Sequence, residues 1–194
     1  MTEINEINKM NDSYSRQNKW IQASLKIGKI EVFMIPFTQM LGRLDQKLIQ
    51  VDEKISQLNY KGSPTNILEF DEHYSFSHLW VLGCYEITKA IYERCRIDNR
   101  KPKFSTYPKF STDAINQKAR ETKILLERIR VPLAKFESSE KNPFDSHIAI
   151  PINILNVGVG WKLSDDYIIS RKQLSDAFLD FIVIISDEKS LSIR

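Results

Sequence analysis

Apolar residues recur at helical spacing most strongly between Tyr74 and Ile97, in the stretch YSFSHLWVLGCYEITKAIYERCRI. At about 100° per residue, Trp80, Cys84, Ile87, Ile91 and Cys95 share one stripe, which Val81, Tyr85 and Tyr92 widen. Glu86, Lys89, Glu93 and Arg96 fall on the opposite side and alternate in sign, a pattern suited to ion pairs along a wet face. So broad an apolar arc predicts a central helix touched by several others.

A second helical pattern opens at Pro36, proline being tolerated in a first turn where its missing N–H has no partner. Phe37, Leu41, Leu44, Leu48, Val51, Ile55 and Leu58 recur at spacings of four and three, a seam of about three heptads. The residues between them, among them Arg43, Asp45, Lys47, Asp52 and Lys54, are polar and are expected to face water. The seam's partner is an antiparallel helix of the same domain, as in ordinary bundles, or a second copy of the chain in a homodimer formed through residues 37–58.

Ser111 or Thr112 is placed to cap a third helix running to Arg130, with Ile115, Ala119, Thr122, Leu125, Leu126 and Ile129 inward. Pro132 is expected to end it, with Phe136 anchoring the chain in the core. After a polar linker, Ser138–Pro143, the period changes to two: Ile148, Ile150, Ile152 and Ile154 predict a strand with one buried face. Pro151 assigns that strand to an edge. A turn containing Gly158 and Gly160, a short strand at 161–163 and another at 167–169 complete a meander. Ser170 with Gln173 forms a capping box that starts an amphipathic C-terminal helix carrying Leu174, Phe178, Phe181, Ile182 and Ile185 inward.

The remaining segments are less patterned. Residues 1–19 are polar and are expected to form a flexible N-terminal tail; 20–35 fit a strand or a helix start, and the period does not choose; 59–71, with Gly62, Ser63 and Pro64, read as a loop; 187–194 read as a frayed end. The predicted fold class is α+β, mainly α: a helical bundle around a central helix at 74–97, a small antiparallel β-meander at 147–169, and the C-terminal helix, all in one domain spanning 20–186.

Composition supports that outline. A chain of 194 residues, 42% hydrophobic and 27% charged, is large enough to bury a core without staples. Cys84 and Cys95 are eleven residues apart on one helix face, about 16 Å, beyond disulfide reach, and read as reduced core thiols. No apolar run approaches the ~20 residues of a membrane span, and the N-terminus lacks the apolar region of a secretory signal. A cytoplasmic protein with no membrane partner is expected.

Charge changes the picture more. Arg94 to Lys135 hold twelve basic and four acidic residues, about +8 net, against +3 for the whole chain. In RCRIDNRKPKFSTYPKF, cations alternate with Phe104, Tyr107 and Phe110, while Pro102 and Pro108 favour an extended backbone. Cations that track phosphates, interleaved with rings that stack on bases, suit single-stranded RNA or DNA. The candidate nucleic-acid-binding residues are Arg96, Arg100, Lys101, Lys103, Phe104, Tyr107, Lys109, Arg120, Lys123 and Arg130.

Catalytic patterns are sparse. His73, beside Glu69, Asp71 and Glu72, lies five residues from His78, which turns the two imidazoles about 140° apart on a helix and argues against a metal pair. The acids there suit a helix N-terminus. No G-x-S-x-G, C-x-x-C, HExxH or phosphate loop is present. Cys84 lies mid-stripe, where a buried thiol is inert. Arg130, followed six positions on by Phe136, resembles the Arg…His motif of HEPN ribonucleases at its Arg alone. That resemblance implies phosphate contact by Arg130, with Phe136 standing where the acid–base His belongs. The sequence therefore points to a non-enzymatic binding or assembly protein, with no catalytic residue, metal or cofactor expected.

Overall fold

The computed structural model describes the backbone of residues 2–57, 64–100, 113–154 and 156–187, and side chains within 14–56, 69–97, 113–154 and 156–185. Five helices, α1 (Thr2–Ile27), α2 (Met34–Gln57), α3 (Pro64–Arg100), α4 (Asp113–Lys135) and α5 (Arg171–Asp187), surround strands β1 (Ile150–Ile154), β2 (Gly158–Ser164) and β3 (Tyr167–Ser170). The α+β, mainly helical expectation is met.

Helix α3 is the axis of the molecule, as its pattern predicts. Trp80, Val81, Cys84, Ile87, Ile91 and Cys95 are all buried in one cluster with residues of the other four helices. It begins ten residues earlier than the apolar stripe indicated, because Pro64 suits a first turn and Phe70 stacks on Tyr74 one turn later, with ring centroids 6.3 Å apart. The expected loop at 59–71 is therefore helical from Pro64 onward.

The segment expected as a tail up to Lys19 forms most of α1, and the ambiguous residues beyond Trp20 continue it. Trp20, Ala23, Ser24 and Ile27 bury a stripe at helical spacing. The indole lies so close to α2 that a Cβ on Gly42 would meet it at 2.7 Å. On α2, Leu41, Leu48 and Ile55 of the heptad seam are buried within the chain, whereas Phe37 at its start is exposed, so the middle and end of the seam serve intramolecular packing. Asp45 and Asp52 depart from the expected wet face and are buried.

Helix α4 passes through Pro132 and gains one further turn. It stops where Phe136 takes a left-handed backbone, φ 58°, a common end for a helix. Phe136 is 71% exposed and anchors nothing. The irregular chain that follows is fastened by Asp145, which accepts bonds from Arg128 Nε at 2.5 Å and Nη2 at 2.7 Å, and by Ser146 N–H donating to Leu163 O. Arg128 in turn lies over the Tyr167 ring, 3.3 Å from its centroid.

The sheet is antiparallel in the order β1-β2-β3. Pro151 pairs opposite Trp161 on the edge strand, where a missing N–H costs no ladder bond. The isoleucines of β1 were expected on a buried face, yet Ile148 and Ile150 are exposed and Ile152 and Ile154 half-buried. The buried face belongs to β2, through Val159, Trp161 and Leu163. Gly158 and Gly160, expected in a turn, are strand residues. Ser170 and Gln173 form the predicted capping box, Ser170 N–H donating to Gln173 Oε1 at 2.9 Å and Gln173 N–H to Ser170 Oγ at 3.1 Å.

Candidate functional site

Two polar constellations distinguish the molecule, one on the surface and one in the core. The surface one lies where α3 faces α4. Tyr85 and Tyr92 are seven residues apart on α3, and Lys123 and Arg130 seven apart on α4, so each pair shares a flank. The Arg130 guanidinium lies 4.8 Å from the Tyr85 ring centroid, and Lys123 Nζ lies 5.7 Å and 5.9 Å from those of Tyr85 and Tyr92, all within cation–π range. Glu127 is the acid between them: Lys123 Nζ donates to its Oε2 at 3.1 Å and Tyr85 Oη to its Oε1 at 3.4 Å. Burial pulls the Lys123 ammonium down, but the bond and charge of Glu127, joined by the two tyrosines, outweigh it and hold the pKa above its usual value. The lysine is thus charged at neutral pH.

These contacts also set the helices side by side, with Tyr92 at the level of Lys123 and Tyr85 at that of Glu127 and Arg130. One turn further, helical phase brings Arg96 of α3 and Arg120 of α4 to the same flank. Arg96 is bound by Glu93, at 3.1 Å and 3.0 Å, whereas Arg120 is exposed. Four of the ten residues named from sequence, Arg96, Arg120, Lys123 and Arg130, therefore share one flank. The side chains of Arg100, Lys101, Lys103, Phe104, Tyr107 and Lys109 lie outside the described residues. Tyr85 is buried in the core cluster and Tyr92 packs against it, as their place beside the α3 stripe predicts, and the same two rings lie beneath the cations; the signal that marks this second role is their spacing of seven.

The core constellation was not foreseen. Asp45 accepts four bonds: from Arg171 Nη1 at 2.9 Å, Ser175 Oγ at 2.5 Å, Arg16 Nε at 2.8 Å and Trp20 Nε1 at 3.3 Å. Asp52 accepts from Arg171 Nε at 2.6 Å and from the Val159 backbone N–H at 3.0 Å, and its Oδ1 lies 2.8 Å from His73 Nε2. Arg171 is fully buried, with its guanidinium 5.8 Å from the Trp80 ring. Burial pulls Arg16 down, but the charge and hydrogen bonds of Asp45, followed by those of Asp176, leave its pKa raised.

This network ties α1, α2, α3, β2 and α5 together and leaves both carboxylates saturated with donors. A group so satisfied and enclosed is a staple and lacks access to substrate. His73, weighed as a metal ligand, is committed to Asp52, and no cluster of three metal-ligating groups occurs among the described residues. The Cys84 thiol is held well above its usual pKa, by burial and the nearby Asp45 charge against the opposing Arg171, and so stays protonated and inert. Phe136 contributes no acid–base group near Arg130, so the ribonuclease resemblance remains that of a single Arg.

A third feature is a cleft of about 800 Å³ between the loop Lys141–Ser146 and the β2–β3 turn. Its principal cations are neutralised locally, Arg128 by Asp145 and Lys162 by Asp165 at 2.7 Å, so it presents no concentrated charge. Among the described residues no helix is long and apolar enough to cross a membrane. Compared with protein-family models, curated proteins and solved structures, the chain matches none.

Proposed function

We propose that this chain is a non-enzymatic binding protein whose partner is a single-stranded nucleic acid, held through its phosphates along the α3–α4 flank. The observation that carries the reading is the convergence of Lys123 and Arg130 over Tyr85 and Tyr92, with Arg120 and Arg96 one turn away. Rings beneath cations restrain them at fixed spacing without neutralising them, and Glu127 offsets only part of the charge. The sequence between the two helices, residues 101–109, is strongly basic and carries Phe104 and Tyr107, residue types that suit base stacking.

Fluorescence anisotropy of a labelled single-stranded RNA, titrated at several salt concentrations, tests this. The parent is expected to bind with an affinity that falls steeply with salt. The Lys123→Ala, Arg130→Ala double variant is expected to bind at least about tenfold more weakly, with a log–log salt slope lower by about 0.7 for each phosphate that is no longer neutralised. A flat titration at low salt, or a variant indistinguishable from the parent, sinks the proposal.

A further inference from the structure

The shoulder between α2 and α3, on the opposite side of α3 from the basic flank, carries five exposed large apolar side chains, the kind of surface that marks an interaction site when it is grouped. Phe37 and Met40 lie on α2, Phe33 immediately before it, and Phe76 and Leu79 on α3. All five are exposed, Phe33 by 80% and Leu79 by 59%. Two bonds level the helices: His73 Nε2 meets Asp52 Oδ1 at 2.8 Å, and Trp80 Nε1 donates to Leu41 O at 3.2 Å. The helices thus run antiparallel, with Leu41 level with the segment Trp80–Gly83. By helical phase, Phe37 and Met40 lie on the side of α2 nearest α3, and Phe76 and Leu79 on the side of α3 nearest α2. Together they mark an apolar strip along the contact between the two helices.

Charge borders this strip with opposite signs. Arg43, Lys47 and Lys54 flank it on α2, Glu69 and Glu72 on α3; all are exposed, and none has an ion-pair partner among the described residues. The levels set by Asp52 with His73 bring Lys54 alongside the turn Glu69–Glu72.

The geometry points to a second copy of this chain as the occupant of the strip, in a dimer whose two-fold axis runs along the helices. Such an axis keeps each level and exchanges the two sides. It lays α2 of one copy over α3 of the other, apolar strip on apolar strip, with Lys54 facing the partner's Glu72 and the reverse. A patch with like charges on both borders would repel its own copy in that orientation, whereas this one is self-complementary, as an isologous interface requires. The strip and the nucleic-acid flank are different faces of the molecule, so dimerisation stands without RNA binding.

Light scattering coupled to size exclusion, with the full chain at micromolar and higher concentrations, tests the dimer. The parent is expected at twice the chain mass of 22.7 kDa, and Leu79→Asp, at an exposed position, at the single mass with an unchanged circular dichroism spectrum. Lys54→Glu is expected to weaken the dimer about tenfold, and Lys54→Glu with Glu72→Lys to restore it to within about twofold. A parent that is monomeric at every concentration, a dimeric Leu79→Asp, or a swap that fails to restore association overturns the inference.

Discussion

His78 shows how one residue can set a pH response. Its imidazole stacks on Trp161 at 6.1 Å and meets the Tyr74 ring edge-on at 4.1 Å, and burial pushes its pKa from 6.5 down to about 4. Tyr74, whose Oη accepts a bond from Trp161 Nε1 at 3.1 Å, is pushed by burial up to about 12 against that bond and stays neutral. For His78 the unfolded chain binds a proton between pH 6.5 and about 4 while the folded chain does not. Folding is therefore weakened as pH falls through that window and is unaffected by this group above it. Because the ring is partly in water, about 1 kcal/mol is expected, below the full value of the shift. Melting temperatures at neutral and mildly acidic pH are expected to converge in His78→Phe relative to the parent; equal drops in both proteins would refute the assignment.

At the scale of elements, the contact between β2 and α2 depends on an unusual backbone. Gly158 has φ +105°, and a Cβ there would lie 2.5 Å from Asp52 Cβ. Only a residue without a side chain lets the strand come close enough for Val159 N–H to reach the Asp52 carboxylate. Gly158→Ala is expected to cost about 2–4 kcal/mol, from the strained φ and the displaced strand together. Urea unfolding with an unchanged m-value and a lowered midpoint is the expected result, and a midpoint within error of the parent would show that β2 shifts freely. The same close approach explains why a G-x-G that resembled turn punctuation belongs to a strand.

At the scale of the molecule, Arg171 is the link between halves of the chain that are distant in sequence. One buried guanidinium bridges Asp45 and Asp52, and these carboxylates also bind α1, α3 and β2. Arg171→Met leaves Asp52 without its guanidinium and Asp45 with Arg16 alone, and is expected to cost about 3–5 kcal/mol in urea unfolding. Adding Asp45→Asn and Asp52→Asn is expected to recover part of that loss, because removing both charges is less harmful than stranding them. An Arg171→Met variant as stable as the parent would show that the network contributes little to stability.

Local information sufficed wherever a segment's own period decided its state. The core stripe of α3, the seam of α2, the cap at Ser170 and the edge assignment of Pro151 are each set by spacing, side-chain shape or a missing N–H, properties of a few neighbouring residues. The clustering of basic residues between Arg94 and Lys135 was equally plain, since charge can be counted along the chain. Tertiary structure decided the rest. Asp45 and Asp52 look like surface residues until Arg171, more than a hundred positions away, is packed against them, and residues near Arg16 look like a tail until α5 gives them a surface to cover. Burial of a charge depends on where its partner lies in space. A one-dimensional pattern records which face of a helix is polar, but not whether that face meets water or a distant guanidinium.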